Sequence, residues 1–458
     1  MPMFARRENE HYDYPQLSIF RNNPSVDQRS FLISSAQNHE DTMIYIHIPF
    51  CTKECIFCNY YKTAISKNIL KEYFNCLHIE IKHYAQLISQ TCLKLAGIHF
   101  GGGTPSIVPI KYYYELLEHI TKYFDISNCQ ISFEGNVLSL LRTDYISQLH
   151  KLGINRVSFG VQTFNMDIRS KYGLFSSTEK IREVVYVLHA NDISDINTDL
   201  MFNFPGQLPE NVTDDIHTLF EIDVNCIDLY SLIVFPNTKM QKRMVADGDY
   251  LSYINPYNLR AYNRTFLEIQ KNKDIFFLMS NTITRNPNYE NKNLNIMLGN
   301  NTRNGGNVIG IGASARGYIN SFKYKNYVDI QEYLSAVKKN GVGNQLQSVL
   351  SSQELEDRLL VMFPNFTKIN KINLNNLHDK NVRLINEYLQ NNIFLEDNSF
   401  IYINPKYYYW AGNISSTFYS SKQKKDMLMD VLQNRKEKQN SQQENIAVAE
   451  SADVHMHI

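Results

Sequence analysis

This 458-residue chain has no excess of charge of either sign: Lys+Arg and Asp+Glu each number 46, for a formal net charge of zero. Such a balance offers no general attraction to nucleic acid or to an anionic membrane surface. A run of about 18 apolar residues, the minimum for a membrane-spanning helix, is absent. The opening Met1-Pro-Met-Phe-Ala-Arg-Arg7 lacks the apolar core of a secretory signal. No membrane span and a cytosolic location are therefore expected. Cysteine is scarce, with seven in all, and Cys76, Cys92, Cys129 and Cys226 stand singly. That is the pattern of reduced thiols rather than of a disulfide framework. Also missing are a second Cys-x-x-Cys pair and the Gly-x-Gly-x-x-Gly spacing of a dinucleotide cradle. Aromatics are plentiful, 30 Tyr and 25 Phe against one Trp, and most are expected in the core.

The other three cysteines fall in one short loop, Cys51-Thr-Lys-Glu-Cys55-Ile-Phe-Cys58. The run before it, Met43-Ile-Tyr-Ile-His-Ile-Pro-Phe50, is apolar and β-prone, so the loop hangs off the end of a strand. Three thiolates at this spacing can hold three irons of a [4Fe–4S] cube, whereas an electron carrier normally uses four cysteines. The fourth iron then has no protein ligand, and an open metal position marks a catalytic site. Zinc is the alternative, with Cys51, Cys55, Cys58 and His47 as ligands. Structural zinc sites, however, usually pair a two-residue spacing with a distant second pair. Chance clustering of three cysteines is the remaining reading.

From Met43 onward β and α patterns alternate. Strands are expected near 43–50, 95–100, 130–133, 156–160, 195–201 and 227–234. Helical spacing covers 69–88 (Ile69, Tyr73, Leu77, Ile81, Tyr84), 112–123, 144–152, 178–190 and 211–222. Six βα units with short turns predict an α/β fold, a partial (β/α)6 barrel around a parallel sheet. The expected organisation is an N-terminal arm over 1–42 and the partial barrel over 43–235. A barrel extension and substrate-side segment follows over 236–345, with its Asn-rich stretch 286–307 read as a loop near the site. A small C-terminal helical or winged-helix domain is expected over 346–421, and a charged, disordered tail over 422–458.

Gly101-Gly-Gly-Thr-Pro-Ser106 follows the second strand directly, and glycines there let the backbone approach a ligand closely. Its carbonyls could receive the ammonium of a free amino acid; a plain tight turn is the alternative. Glu134, Gln162 and Asp199 fall at or near the carboxyl ends of the next three strands, where barrels keep their chemistry. Taken singly, each reads as a satisfied buried polar residue. Their recurrence favours ligand contact.

These motifs resemble the radical S-adenosylmethionine (SAM) superfamily. Tyr45-Ile-His-Ile-Pro-Phe-Cys51, Phe100-Gly-Gly-Gly-Thr-Pro-Ser106, Gly153-Ile-Asn-Arg-Val-Ser-Phe-Gly-Val-Gln-Thr-Phe-Asn165 and Asn197-Thr-Asp-Leu-Met-Phe-Asn-Phe-Pro-Gly-Gln207 look like its oxygen-independent coproporphyrinogen III oxidase group. That group includes a heme chaperone, anaerobic heme-degrading methyltransferases, and class C methyltransferases and cyclopropanases. The resemblance implies a [4Fe–4S] cluster on Cys51, Cys55 and Cys58, and one or two SAM molecules. It places Tyr45, Phe57, Gly102, Gly103, Thr104, Glu134, Gln162, Asp199 and Ile233 against SAM, and Arg316, within Val308–Gly317, near a second SAM or the substrate. It implies cleavage of SAM to methionine and a 5′-deoxyadenosyl radical, a tetrapyrrole substrate, and an electron donor such as flavodoxin or ferredoxin.

Departures narrow the choice. The oxidase's further cysteine falls on Tyr60, and its Arg twelve residues past the glutamine falls on Leu174. The chaperone's His-Asn stretch is replaced by Ile296-Met-Leu-Gly-Asn-Asn301. Phe4-Ala-Arg-Arg7, Phe133-Glu-Gly-Asn136 and Tyr409-Trp-Ala-Gly-Asn413 resemble the heme-degrading methyltransferases, which makes methylation or opening of a tetrapyrrole the preferred expectation. Decarboxylating coproporphyrinogen oxidation, heme delivery and modification of a secondary metabolite remain as alternatives.

Overall fold

The computed structural model describes residues 41–52, 55–58, 61–88, 95–174, 176–235, 238–298 and 306–426, with Leu17 and Ser30. Most of the 1–42 arm, the Phe4–Arg7 run, Tyr60, Cys92, residues 299–305 and the tail beyond 426 lie outside the described residues.

Six parallel strands follow one another through helices: β1 (Thr42–Ile48), α1 (Lys67–Ile88), β2 (Leu95–Gly102), α2 (Lys111–Thr121), β3 (Gln130–Gly135), α3 (Thr143–Lys151), β4 (Arg156–Gln162), α4 (Thr178–His189), β5 (Asp195–Phe202), α5 (Pro209–Glu221) and β6 (Cys226–Ser231). Side chains alternate across these strands with a period of two. One set is aliphatic or aromatic and buried: Ile44, Ile46 and Ile48 on β1, Ile98 and Phe100 on β2, Ile131 and Phe133 on β3, Val157 and Phe159 on β4. These join Leu116 and Ile120 of α2, Ile146 and Leu149 of α3, and Val184 and Leu188 of α4 in one core. Burial of each such side chain contributes about 1.5–3 kcal/mol, so this face sets the register. The alternate set is polar: Tyr45, His47, His99, Ser132, Glu134, Arg156, Asn197, Asp199 and Asp228. A barrel interior is ordinarily packed with branched apolar side chains. Here the face opposite the aliphatic core is polar instead.

Both edges of this unit are extended by strands that fall between residues 276 and 349, most of them within the segment 236–345. β7 (Phe276–Met279) and β8 (Thr282–Thr284) form a hairpin antiparallel to β6. β9 (Asn307–Ile311) lies parallel to β1, followed by antiparallel β10 (Arg316–Ile319), β11 (Phe322–Asn326) and β12 (Asn344–Val349). The twelve strands run in the order β12-β11-β10-β9-β1-β2-β3-β4-β5-β6-β8-β7, and this order does not return on itself. The helix α6 (Ile330–Asn340) joins β11 to β12.

The described part of the Asn-rich stretch does not lie by the cysteine loop. Its helix Lys292–Leu298 covers the opposite end of the strands, where Asn293 Nδ2 donates to Ile98 O (3.0 Å), Gln130 O (3.1 Å) and Ser132 Oγ (2.7 Å). Tyr289 donates there to Asp195 at the start of β5 (2.7 Å). Asparagine suits this place because one short amide can satisfy several strand-end carbonyls at once.

Beyond β12, α7 (Ser352–Phe366) opens on a Ser351/Glu354 capping box and is followed by α8 (Asp379–Gln390) and a small antiparallel sheet of Lys368–Asn370, Phe400–Ile403 and Phe394–Glu396. Leu359, Phe363, Ile385, Tyr388, Phe394, Ile401, Ile414 and Phe418 form its own core. Tyr409 and Trp410 belong instead to the main core, with Tyr409 against Phe202 and Phe266. No helix among the described residues is long and apolar enough to cross a membrane.

Candidate functional site

The cysteine loop leaves the carboxyl end of β1 and is fastened at both ends. Thr63 N donates to Pro49 O (2.8 Å) and Cys51 N to Thr63 O (3.2 Å), closing the loop on itself. Within it Cys58 N donates to Cys55 O (3.1 Å), and Lys62 Nζ to Cys58 O (3.0 Å). The glycine turn after β2 is clipped to its base: Gly103 N donates to Ile48 O and Thr104 N to Phe50 O, both at 2.8 Å. A Cβ on Gly103 would stand 2.7 Å from Phe50 O and 2.8 Å from Ile48 O, so no other residue permits this approach. The clip brings Thr104 Oγ1 to 3.4 Å from Cys51 Sγ. Burial pushes the Cys51 thiol up, the Thr104 hydrogen bond pulls it down, and the neighbouring Cys58 raises it again.

Behind the turn lies a chain of polar side chains. Glu134 accepts from Gly102 N (3.0 Å) and pairs with His99 Nε2 (2.9 Å), whose Nδ1 is 2.6 Å from Ser132 Oγ. The Tyr45 ring stacks on His99 and its hydroxyl meets His47 Nδ1 at 2.9 Å. Burial pushes the Glu134 carboxyl up, but the His99 hydrogen bond and charge, with Gly102 N–H and His47, bring it below the ordinary 4.5. Its ionised form therefore stabilises the fold above that value, and this contribution is lost as the pH falls below it. His47 is 3% exposed, its Nε2 has no hydrogen-bond partner among the described residues, and burial lowers its pKa to about 4. It is a neutral ring at physiological pH.

Gln162 ends β4 at φ +64°, where the β4–β5 register shifts. Arg169, 4% exposed, braces that turn by donating to Val161 O (2.8 Å) and Thr163 O (2.6 Å), one on each side of Gln162. Leu174 does not supply a cation in this stretch, and Arg169 is spent on backbone. Asp199 lies beside Asp228 in the β5–β6 register; burial, Asp228 and Glu134 together raise its pKa. Asp228 is itself held by Thr282 Oγ1 (2.5 Å) and Asn197 Nδ2 (3.0 Å).

Three sequence candidates sit further out. Phe57 is half-buried with its ring edge-on to Phe204, just past β5, so the cysteine loop reaches towards β5 and β6. Ile233 follows β6 and is exposed. Arg316 opens β10 and is exposed.

Residues 45–219 match the Radical SAM superfamily. The chain carries a radical SAM domain. Its sequence is similar to the anaerobilin synthase of Escherichia coli O157:H7 (28% identity over 212 residues, 46% of this chain and 47% of that one). It is also similar to the heme chaperone HemW of Lactococcus lactis subsp. lactis (27% over 382 residues, 82% and 96%). The chain thus spans about half the length of the anaerobilin synthase and almost all of the chaperone. Its fold matches the coproporphyrinogen III oxidase HemN of Escherichia coli with a TM-score of 0.74 over 90% of this chain and 99% of that one, at 19% identity.

A radical SAM domain implies a [4Fe–4S] cluster and SAM, and the donor set here fits both. Of the three loop cysteines Cys55 is exposed and Cys51 and Cys58 are half-buried, while the other described cysteines, Cys76, Cys129 and Cys226, are buried elsewhere. Among the described residues, no three His, Cys, Asp or Glu side chains are gathered as ligands of a single ion. The radical SAM domain also contains residues that the sequence did not single out for this site. His99, Ser132 and Arg169 had no motif to mark them, although the polar–apolar alternation His99-Phe100 and Ser132-Phe133-Glu134 is a signal for an inward polar face.

Proposed function

We propose that this protein is a radical SAM enzyme whose cluster is held by Cys51, Cys55 and Cys58 and whose substrate is a tetrapyrrole, which it methylates or opens. Bound together, the reduced cluster and SAM supply methionine and a 5′-deoxyadenosyl radical. The chain's own part is to orient and to exclude water. The carbonyls of Gly102 and Gly103 and the Glu134 carboxylate receive an ammonium, Gln162 and Asp199 receive hydroxyls, and Tyr45, Phe57 and Ile233 supply apolar contact. The observation that carries this reading is the backbone clip between the cysteine loop and the glycine turn, which sets Thr104 against Cys51 and Glu134 behind Gly102. Support for a flat apolar substrate comes from the rim: Met166, Leu208, Ile233 and Phe235 are exposed on the segments after β4, β5 and β6.

The extent of the likeness to HemW favours a second reading, a heme chaperone. Such a protein needs an axial ligand. Of the axial candidates, His99 is engaged at both ring nitrogens and His47 is buried, so a chaperone of this kind would have to use a tyrosine, and the enzyme reading is preferred.

The test is anaerobic reconstitution, then reduction with SAM and hemin while methionine, 5′-deoxyadenosine, S-adenosylhomocysteine and heme absorbance are followed. The expected result is S-adenosylhomocysteine with loss of the heme spectrum. Stoichiometric heme binding without SAM consumption would establish the chaperone instead. Glu134→Gln should keep its iron and lose SAM affinity by about tenfold or more, because a charged acceptor is replaced by an amide facing Gly102 N–H. Unchanged SAM binding in a titration would remove Glu134 from the site.

A further inference from the structure

Glu80 lies midway along α1, the helix that follows the cysteine loop, and is fully buried. Four donors from four other parts of the chain converge on it. Gly312 N (2.9 Å) and Tyr333 Oη (2.7 Å) donate to one carboxyl oxygen, Asn326 Nδ2 (3.0 Å) and Gly343 N (2.9 Å) to the other. Gly312 belongs to the turn between β9 and β10. Its neighbour Ala313 N donates to Tyr73 Oη (2.9 Å), and the same hydroxyl donates to His47 O on β1 (2.7 Å). The turn is pressed onto this support: at φ +102°, a Cβ on Gly312 would stand 2.5 Å from Tyr73 Oη and 2.7 Å from His47 O. Tyr73 also packs edge-on against Phe50, the residue before Cys51, and Tyr61 Oη accepts from Ile330 N at the start of α6.

The helical period of α1 does not call for a carboxylate here, but the turns packed on it do: a leucine would leave the Gly312 and Gly343 N–H groups, the Tyr333 hydroxyl and the Asn326 amide without this acceptor. A buried carboxyl costs several kcal/mol unless it is fully hydrogen-bonded, so its position has a specific use. We propose that Glu80 is a positioning residue: it fastens the Gly312–Arg316 turn to the helix behind the cysteine loop, so that the substrate side and the end of β1 keep one fixed spacing. This rests on the expectation from the family resemblance that Arg316 lies near a second SAM or the substrate. The carboxylate accepts from all four donors, whereas a neutral acid at this position would present a proton to one of them. Burial pushes Glu80 up to about 7 against the pull of Gly343, Gly312, Tyr333 and Asn326. The other titratable groups facing it are Tyr73, Cys76 and Tyr84 on its own helix, Tyr324 on β11 and Tyr333 on α6. Burial raises all of these above their ordinary values, so they stay neutral where Glu80 titrates.

The test uses the full reconstituted chain carrying Glu80→Gln, a neutral mimic of the same shape, and follows amide hydrogen exchange. At about pH 8, exchange in segment 310–317 should rise about tenfold over wild type, with Ile98 and Phe133 of the central strands unmoved. After correction for the intrinsic rate, wild-type protection of this segment should rise as the pH falls from about 8 to about 6, because the closed form holds the Glu80 proton more tightly than an opened one, while the variant stays flat. SAM cleavage without tetrapyrrole should stay within about twofold of wild type, while hemin, titrated by its absorbance, binds about fivefold more weakly. Unchanged protection of 310–317 overturns the proposal, as does acceleration spread evenly through the sheet. Failure of wild type to bind hemin sinks the tetrapyrrole reading but leaves the exchange result to decide Glu80. If Glu80→Gln does not fold, Tyr333→Phe, which removes one donor, should accelerate the same segment alone; no change there also overturns it.

Discussion

Cys51→Ala is expected to abolish the iron–sulfur chromophore and reductive SAM cleavage while leaving the protein folded. The loop is held by backbone: Cys51 N to Thr63 O, Thr63 N to Pro49 O and Thr104 N to Phe50 O all survive the change. Phe50 remains fully buried against Tyr73, so the loop keeps its base. The lost Sγ···Thr104 contact of 3.4 Å is a single hydrogen bond to a weak sulfur partner and contributes little. The metal site fares differently. Disturbing an outer partner of a metal ligand already costs about 10–100-fold, so deletion of one of three ligands should cost more than about a hundredfold in SAM cleavage. Iron and sulfide content after anaerobic reconstitution, the visible absorbance, and methionine formation read the effect. Cys76→Ala is the matched control, since Cys76 is buried on α1 with its thiol 4.0 Å from Leu334 O, away from the loop. Equal iron in wild type and Cys51→Ala would remove this cysteine from the cluster.

The two variants together separate what the sequence displays from what it conceals. The cysteine loop, the glycine turn and the six strands are local: each is written in consecutive residues, by spacing, by alternation or by glycine where only glycine fits. Tyr73, Leu77, Ile81 and Tyr84 mark the buried face of α1 by their period alone, and all four are buried. Glu80 stands on the same helix, between Ile79, which is exposed, and Ile81, which is not. A lone glutamate there reads as a solvated residue. Its burial is decided by Gly312, Asn326, Tyr333 and Gly343, more than 230 positions away, and no local pattern announces them. Arg169 is hidden for a similar reason: its partners are the carbonyls flanking Gln162, and backbone acceptors leave no trace in sequence. The Asn-rich stretch misled in the opposite direction. Its composition suggests a loop, yet Asn293 is buried against three strand-end acceptors at the end of the sheet away from the cysteines.

Gly102→Ala should be nearly as damaging as loss of a cysteine, through geometry rather than chemistry. Gly102 has φ +113°, and a Cβ there would lie 2.6–2.7 Å from three atoms of the His47 ring. The ring cannot retreat: it is buried, its Nδ1 is tied to Tyr45, Tyr45 stacks on His99, and His99 holds Glu134. Relief therefore has to come from the turn itself, moving Gly102 N away from Glu134 and Gly103 away from Ile48 O. Backbone strain at such a residue costs about 1–3 kcal/mol. A displacement of about an ångström at the reacting groups costs about a hundredfold in rate. Gly153→Ala distinguishes the two contributions. Gly153 has φ +83°, but its Cβ would meet only Ile131 Cδ1 at 3.7 Å, and it precedes β4 at the far end of the sheet. Both variants should lose stability in a denaturant titration, Gly102→Ala the more because it adds the His47 clash to the strain, yet only Gly102→Ala should lose SAM cleavage, about a hundredfold with iron retained. If the two lose SAM cleavage alike, strain alone is responsible, and the close approach of the turn to His47 has no part in placing SAM.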